Sequence, residues 1–263
     1  PPITYLIDFL GWRLSWVLLG LSAGLLLYPV AMMMRKAPED FGLLPDGIKP
    51  NSEGSGSIDA AQSEFLNSYS RSEAIRTFSF YGLVLAFGCF AVNILVVLLL
   101  SEDYLADNGF GRGIGAWAIA IASMPAMLSK PLWGILIDKH PAKPLAALSA
   151  SATGFSLALI VFAALSEDLI LVYIGYVFLG LGWGGMLPMQ EVIWVSFFGR
   201  RYIGSIRGAA MPFSLALGAP IPWLVSYYRD FTGGYHEAFF AVAALNILSG
   251  LMIFLVPEPR RSI

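Results

Sequence analysis

Seven apolar stretches, each long enough to cross a bilayer as a helix, run through the chain, and lysine and arginine collect in every second gap between them. The stretches cover about 14–34, 78–100, 113–137, 144–166, 169–198, 208–228 and 236–257. A hydrocarbon core of about 30 Å takes roughly 20 helical residues. Apolar residues make up 57% of the chain and charged residues 13%. A soluble domain usually carries about 25% charge and needs that polar surface. The expected fold class is therefore all-α: a polytopic membrane protein with seven transmembrane helices.

The basic residues orient it. Arg35, Lys36, Lys49, Arg71 and Arg76 follow the first stretch, Lys139 and Lys143 the third, and Arg200, Arg201 and Arg207 the fifth. Arg260 and Arg261 sit in the tail, and the other side holds only Arg13, Arg112 and Arg229. Cytoplasmic loops retain Lys and Arg. The expected orientation has the N-terminus outside and the C-terminus cytoplasmic. Splitting the fifth stretch in two would put Arg200 and Arg201 on the wrong side. The chain opens Pro1-Pro2 with no cleavable signal pattern before the first span, which reads as a fragment whose upstream part is missing.

The stretches divide the chain into four parts. Residues 1–34 hold one helix, and 258–263 form a short tail. Residues 35–77 hold seven acids and five bases, with a flexible run from Asn51 to Ser57 (NSEGSGS). A short surface helix is expected within Asp59–Arg76. Residues 78–257 form a six-helix bundle whose triplets, 78–166 and 169–257, begin on opposite sides of the membrane, as inverted repeats do. The first, fourth and seventh stretches have no ionisable group between their ends and can face lipid. The third holds Pro125, Lys130 and Pro131; the fifth holds Gly180, Gly182, Gly184, Gly185, Pro188, Gln190 and Glu191. These two are expected to break or bend and to face inward. For the glycines, close helix packing and a hinge are equally open readings.

Two ionisable side chains lie deep in the apolar stretches. Lys130 is eight residues before Asp138 and Glu191 nine before Arg200, which puts both about 12–14 Å inside. A lone charge at that depth costs at least ~2.5–3.5 kcal/mol. In one reading Lys130 attracts an anionic substrate group while Glu191 titrates as protons move. In the other the two form a structural ion pair. Helical spacing puts Trp183, Gly184, Leu187 and Trp194 on roughly the face of Glu191, although core packing is the commoner fate of such a tryptophan. The expected substrate contacts are Lys130, Glu191, Trp183, Gln190 and Asn93, with Glu191 the proton-coupling group. Asn246, like Asn93, is a lone polar residue whose default role is an interhelical hydrogen bond.

Other chemistries find little support. The one cysteine, Cys89, excludes a disulfide within the chain, and two histidines at span ends make a Cys–His metal site improbable on composition. No phosphate-binding glycine loop is present, and no histidine or aspartate pair lies at membrane depth. No enzyme activity, cofactor, metal or nucleic-acid partner is expected. The rival class is a non-transporting seven-helix receptor. A retinal protein would need a lysine in the last span, and 236–257 has none.

The stretch from Lys130 to Lys143 (KPLWGILIDKHPAK) resembles the loop signature of the major facilitator superfamily in its second-half copy, with Gly134, Asp138, Lys139 and Lys143 matching and Pro141 where the family carries glycine. Residues 37–47, 72–80 and 230–235, Arg207-Gly208, Gly218–Pro220 and Pro257–Arg260 resemble the family's central loop, its seventh-helix entry and its last two helices. The resemblance implies family helices six to twelve: one helix, a cytoplasmic loop and a complete half-bundle. It implies a small-molecule transporter working by alternating access, fed by an ion gradient, with the other half of the protein as partner. Lys130 and Gly134 are similar to the anion-binding pattern of the monocarboxylate and oxalate–formate antiporter-like branch. Gly134, Asp138, Lys139, Lys143 and Arg207 would brace the cytoplasmic gate.

Overall fold

The computed structural model describes residues 2–33 and 68–259. The NSEGSGS run, most of 35–77, the first part of the helix expected over 59–76, and residues 260–263 lie outside the described residues. All regular structure among the described residues is helical. The chain forms two units, residues 1–60 and 61–263.

In the first unit, α1 spans Pro2–Met33 and is interrupted at Gly11, whose φ of 75° suits only glycine. Ser15 repairs the interruption. Its hydroxyl donates to the carbonyls of Leu6 at 3.1 Å and Gly11 at 2.8 Å, which the break would leave bare.

The second unit opens with the short α2 (Arg71–Ile75), held by a capping box in which Ser70 and Glu73 satisfy each other's backbone. The six spans follow as α3 (Phe78–Asp107), α4 (Arg112–Lys139), α5 (Ala142–Leu165), α6 (Leu169–Phe198), α7 (Ile203–Gly218) with α8 (Ile221–Thr232), and α9 (His236–Leu255). Thr77 caps α3 and Asp168 caps α6 through side-chain oxygens. One end of this bundle carries Arg71, Arg76, Lys139, Lys143, Arg200 and Arg201; the other carries Glu102, Asp103, Asp107, Glu167, Asp168, Asp230 and Glu237. These are called below the basic and acidic ends.

The breaks expected in the third and fifth stretches are absent. Helix α4 runs through Pro125 and Pro131, and α6 through Pro188, without interruption. Within the second unit the span that divides is the sixth of the chain, at Ala219–Pro220. Pro220 and Pro222 have no N–H, so the carbonyls of Ala216 and Gly218 lose their ladder donors together.

The glycines of α6 serve close packing. Gly180 and Gly184 back onto Ala122 and Ala126 of α4, and Gly182 faces Ser149 and Thr153 of α5. Gly185 accommodates the Trp133 ring, which would lie 2.6 Å from any Cβ there. The Trp133 indole donates to the Leu181 carbonyl at 2.9 Å. Helix α6 is thus wedged between α4 and α5 at distances only missing side chains permit.

The neighbours repeat. Helix α5 packs on α6 and α9 on α3; α4 packs on α6 and α7 on α3; α5 and α9 back each other. Superposing the triplet order α3, α4, α5 on α6, α7–α8, α9 maps the first pair onto the second and the third onto the fourth. An inverted repeat generates this pattern.

Helix α5 keeps one exposed face, with Leu148, Phe155 and Phe162, as the lack of charge in the fourth stretch allows, but its other face is packed. Half of its span is buried, against 11% for α4. Small residues decide this: Ala146, Ser149, Ala150, Thr153 and Gly154 let α6 and α9 approach, whereas α4 presents exposed Met124, Met127, Leu128 and Leu132.

Two apolar cores result, one towards each end of the bundle. Polar bonds tie the helices between and within them: Ser149 to the Gly182 carbonyl at 2.7 Å, Ser249 to the Ala86 carbonyl at 2.8 Å, and Tyr176 to Ser101 at 2.7 Å. At the acidic end, Arg229 runs against the charge pattern and is held by a bidentate bond to Asp107, at 2.8 and 3.0 Å, which staples α8 to α3. Burial, reinforced by Asp103, pushes the Tyr235 phenol in the adjoining turn above its ordinary range.

Gly180→Ala should lower stability by about 1–3 kcal/mol, because the new methyl meets the Ala122 backbone. Gly208→Ala, in open space, should not. Thermal unfolding in detergent compares the two, and equal melting temperatures would contradict the wedge.

Candidate functional site

Lys130, Glu191 and Arg207 lie on three helices towards the basic end of the bundle. Lys130 is nine residues before the end of α4, Glu191 seven before the end of α6, and Arg207 four past the start of α7. At 1.5 Å per residue they lie about 13, 10 and 6 Å from the basic end. Helix α6 contacts both α4 and α7.

The structure pairs Glu191 with Arg207, through Oε1 and Nη2. Of the two readings of the deep charges, the structural Lys130–Glu191 ion pair is therefore not the one formed. The reason is helical geometry. Glu191 and Arg207 lie eight residues either side of Gly199, at the turn between antiparallel helices, so their long side chains come within reach near the basic end. The Arg207 guanidinium also lies 5.5 Å over the Trp194 ring, a cation–π contact. The Glu191 side chain is 59% exposed and that of Arg207 29%, so the pair lies on an open face. Lys130 is exposed on α4 and has no hydrogen-bond or ion-pair partner among the described residues.

The other expected contacts divide. Trp183 is half-buried, and its indole donates to Asn93 Oδ1 at 2.8 Å, linking α6 to α3. Asn93 is fully buried and its Nδ2 has no partner. It does not open to a cavity in this conformation, because Trp183 covers it. Gln190 is half-buried beside Glu191, while Leu187 is exposed one turn away. Trp194 turns from this face into the core, 5.6 Å from Phe198 and 5.7 Å from Phe80. Asn246 makes only an intrahelical bond, to the Val242 carbonyl at 3.1 Å, rather than the expected interhelical one.

The five residues expected to brace the gate do not form one cluster. Lys143 donates to the Val256 carbonyl at 2.6 Å and clamps the start of α5 to the end of α9. Asp138 and Lys139 are exposed and form no ion pair among the described residues, and Gly134 faces open space. Arg207 belongs instead to the Glu191 pair. Sequence reasoning missed this role because it began the sixth span at 208 and left Arg207 in a loop. The helix begins at Ile203.

Residues 1–221 and 78–263 match the family model of the Major Facilitator Superfamily, and together the two matches cover the chain. The chain belongs to the major facilitator superfamily. No curated protein matches it. Members of the superfamily are membrane transporters, so the seven apolar helices are those of an integral, multi-pass transporter of a small molecule. The receptor reading is not favoured. A superfamily transporter needs a polar face within its bundle, and exposed Lys130 and Glu191 with half-buried Arg207 supply charge for one.

Removing either partner of the Glu191–Arg207 pair should destabilise the protein, and the double variant Glu191→Gln with Arg207→Gln should be less perturbed than the sum of the singles by about 0.5–1 kcal/mol. Thermal unfolding of all four forms measures this. Strict additivity would contradict the pairing.

Proposed function

We propose that the chain is the C-terminal portion of a secondary active transporter, holding family helices six to twelve. It moves a small organic anion, of the monocarboxylate class, by alternating access coupled to a proton or a counter-substrate. In this reading α1 is the last helix of the other half, 35–77 the cytoplasmic central loop, and 78–257 the C-terminal half-bundle. The basic end is cytoplasmic and the N-terminus outside.

The observation that carries the reading is the contrast between the two cationic groups in the spans. Arg207 is neutralised by Glu191, whereas Lys130 has no anion of its own. An exposed ammonium about 13 Å inside a span needs a counter-charge, and an incoming carboxylate provides one. Protonation of Glu191 would free Arg207, adding a second cation near the substrate path. One anion and one proton then enter without net charge, which ties the substrate to the proton gradient. Gln190, Trp183 and Asn93 would shape the site once the Trp183–Asn93 bond opens. Gly134, Asp138, Lys139 and Lys143 would act at the cytoplasmic edge.

The test uses the full-length transporter in vesicles with labelled monocarboxylates. Glu191→Gln should lose proton-driven uptake at least tenfold while retaining exchange. Lys130→Ala should weaken substrate binding by roughly tenfold or more, since a charge-assisted bond contributes about 1.5–3 kcal/mol. Unchanged uptake in the first variant removes the coupling role. Unchanged affinity in the second removes the anion site.

A further inference from the structure

An open groove of about 370 Å³ lies between α8 and α9 at the acidic end of the bundle. It is separate from the charged face of α4, α6 and α7. Ile221, Leu224, Ala241 and Leu245 give it apolar walls, and Tyr228 and Glu237 lie at its polar mouth. Its length follows from the helices. Leu245 is nine residues beyond the start of α9, and Ile221 eleven before the end of α8. The groove therefore reaches about 13–16 Å in from the acidic end, the depth of one leaflet of a core about 30 Å thick. On the opposite face of α8, exposed Trp223, Tyr227 and Phe231 form a ladder with ring spacings of 5.7 and 5.6 Å, in the manner of an interfacial aromatic anchor.

The charges at the mouth select the occupant. Glu237 lies exposed in the first turn of α9. It has no hydrogen-bond or ion-pair partner among the described residues. The neighbouring base, Arg229, is committed to Asp107 and Asp230, and His236 turns to the Tyr104 hydroxyl. The mouth thus presents a lone negative charge with a phenol beside it. Its apolar walls hold an acyl chain no better than bulk lipid does, so selectivity rests on the head group.

We propose that this groove is a lipid site for an aminophospholipid, whose acyl chain fills the α8–α9 cleft and whose ammonium pairs with Glu237. The Tyr228 hydroxyl can donate to the phosphate. An anionic head group meets Glu237, and Arg229, the base beside it, is already bound to Asp107 and Asp230.

Native mass spectrometry of the purified chain, released from detergent with equal amounts of phosphatidylethanolamine and phosphatidylglycerol of the same acyl chains, tests the site. The wild type should retain about fivefold more of the ethanolamine lipid, the scale of one exposed ion pair. Glu237→Gln should bring the two lipids level, and Ala241→Trp, which fills the groove, should lower retention of both. Equal retention by the wild type, a preference that survives Glu237→Gln, or retention untouched by Ala241→Trp would overturn the proposal. Neither substitution touches Lys130, Glu191 or Arg207, so failure here leaves the transport reading intact, and the reverse holds too.

Discussion

A charge within a membrane span must find a counter-charge or water, and this constraint organises the protein. The cost of ignoring it, at least ~2.5–3.5 kcal/mol per charge, is a sizeable share of a typical domain's net stability of about 5–15 kcal/mol. Glu191 and Arg207 meet the constraint by pairing across the α6–α7 turn. Lys130 does not meet it internally. The exposed faces of α4, α6 and α7 must therefore border water or polar protein, while α5 and α9 form the packed back of the bundle. The charged side chains and the tightest helix packing are separated in this way between two sides of one bundle.

The packed back makes that division possible. Glycines along α6 let α4 and α5 close in on both sides, and hydroxyls such as Ser149 and Ser249 spend their hydrogen bonds on neighbouring backbones. A helix gripped so tightly moves with its neighbours. The break in the helical ladder lies elsewhere, where Pro220 and Pro222 interrupt the sixth span. There α8 carries the Arg229–Asp107 staple at the acidic end, while α7 carries the Glu191 partner nearer the basic end. The proline break separates these two attachments.

Much of the fold was legible because hydrocarbon allows few solutions. Seven spans follow from run length alone, and 169–198 coincides with α6 as observed. The glycine cluster around Gly182 announced something, but packing and hinge leave the same residues behind. Only the neighbours Ala122, Ala126 and Thr153 separate them. The proline pair at 220 and 222 was visible and was passed over for Pro125, Pro131 and Pro188, which unbroken helices absorb. Of the candidate site, the identity of the deep charges was legible and their pairing was not. Equal distance from Gly199 was the available signal for Glu191 and Arg207, and it goes unseen when a helix start is placed five residues late. Burial of Asn93 behind Trp183 depends on which way an indole turns, and no spacing rule encodes that.

Water access to the charged face tests the account most directly. Single cysteines would replace Lys130, Glu191 and Phe162 in turn, in a Cys89→Ser background of the full-length transporter. Each would then be exposed to a membrane-impermeant thiol reagent. Phe162 is exposed on α5, on the packed back of the bundle, and serves as the lipid-facing control. The account predicts that cysteines at 130 and 191 react while the one at 162 stays protected. If 130 and 191 are as inert as 162, their face looks onto hydrocarbon and the account is wrong.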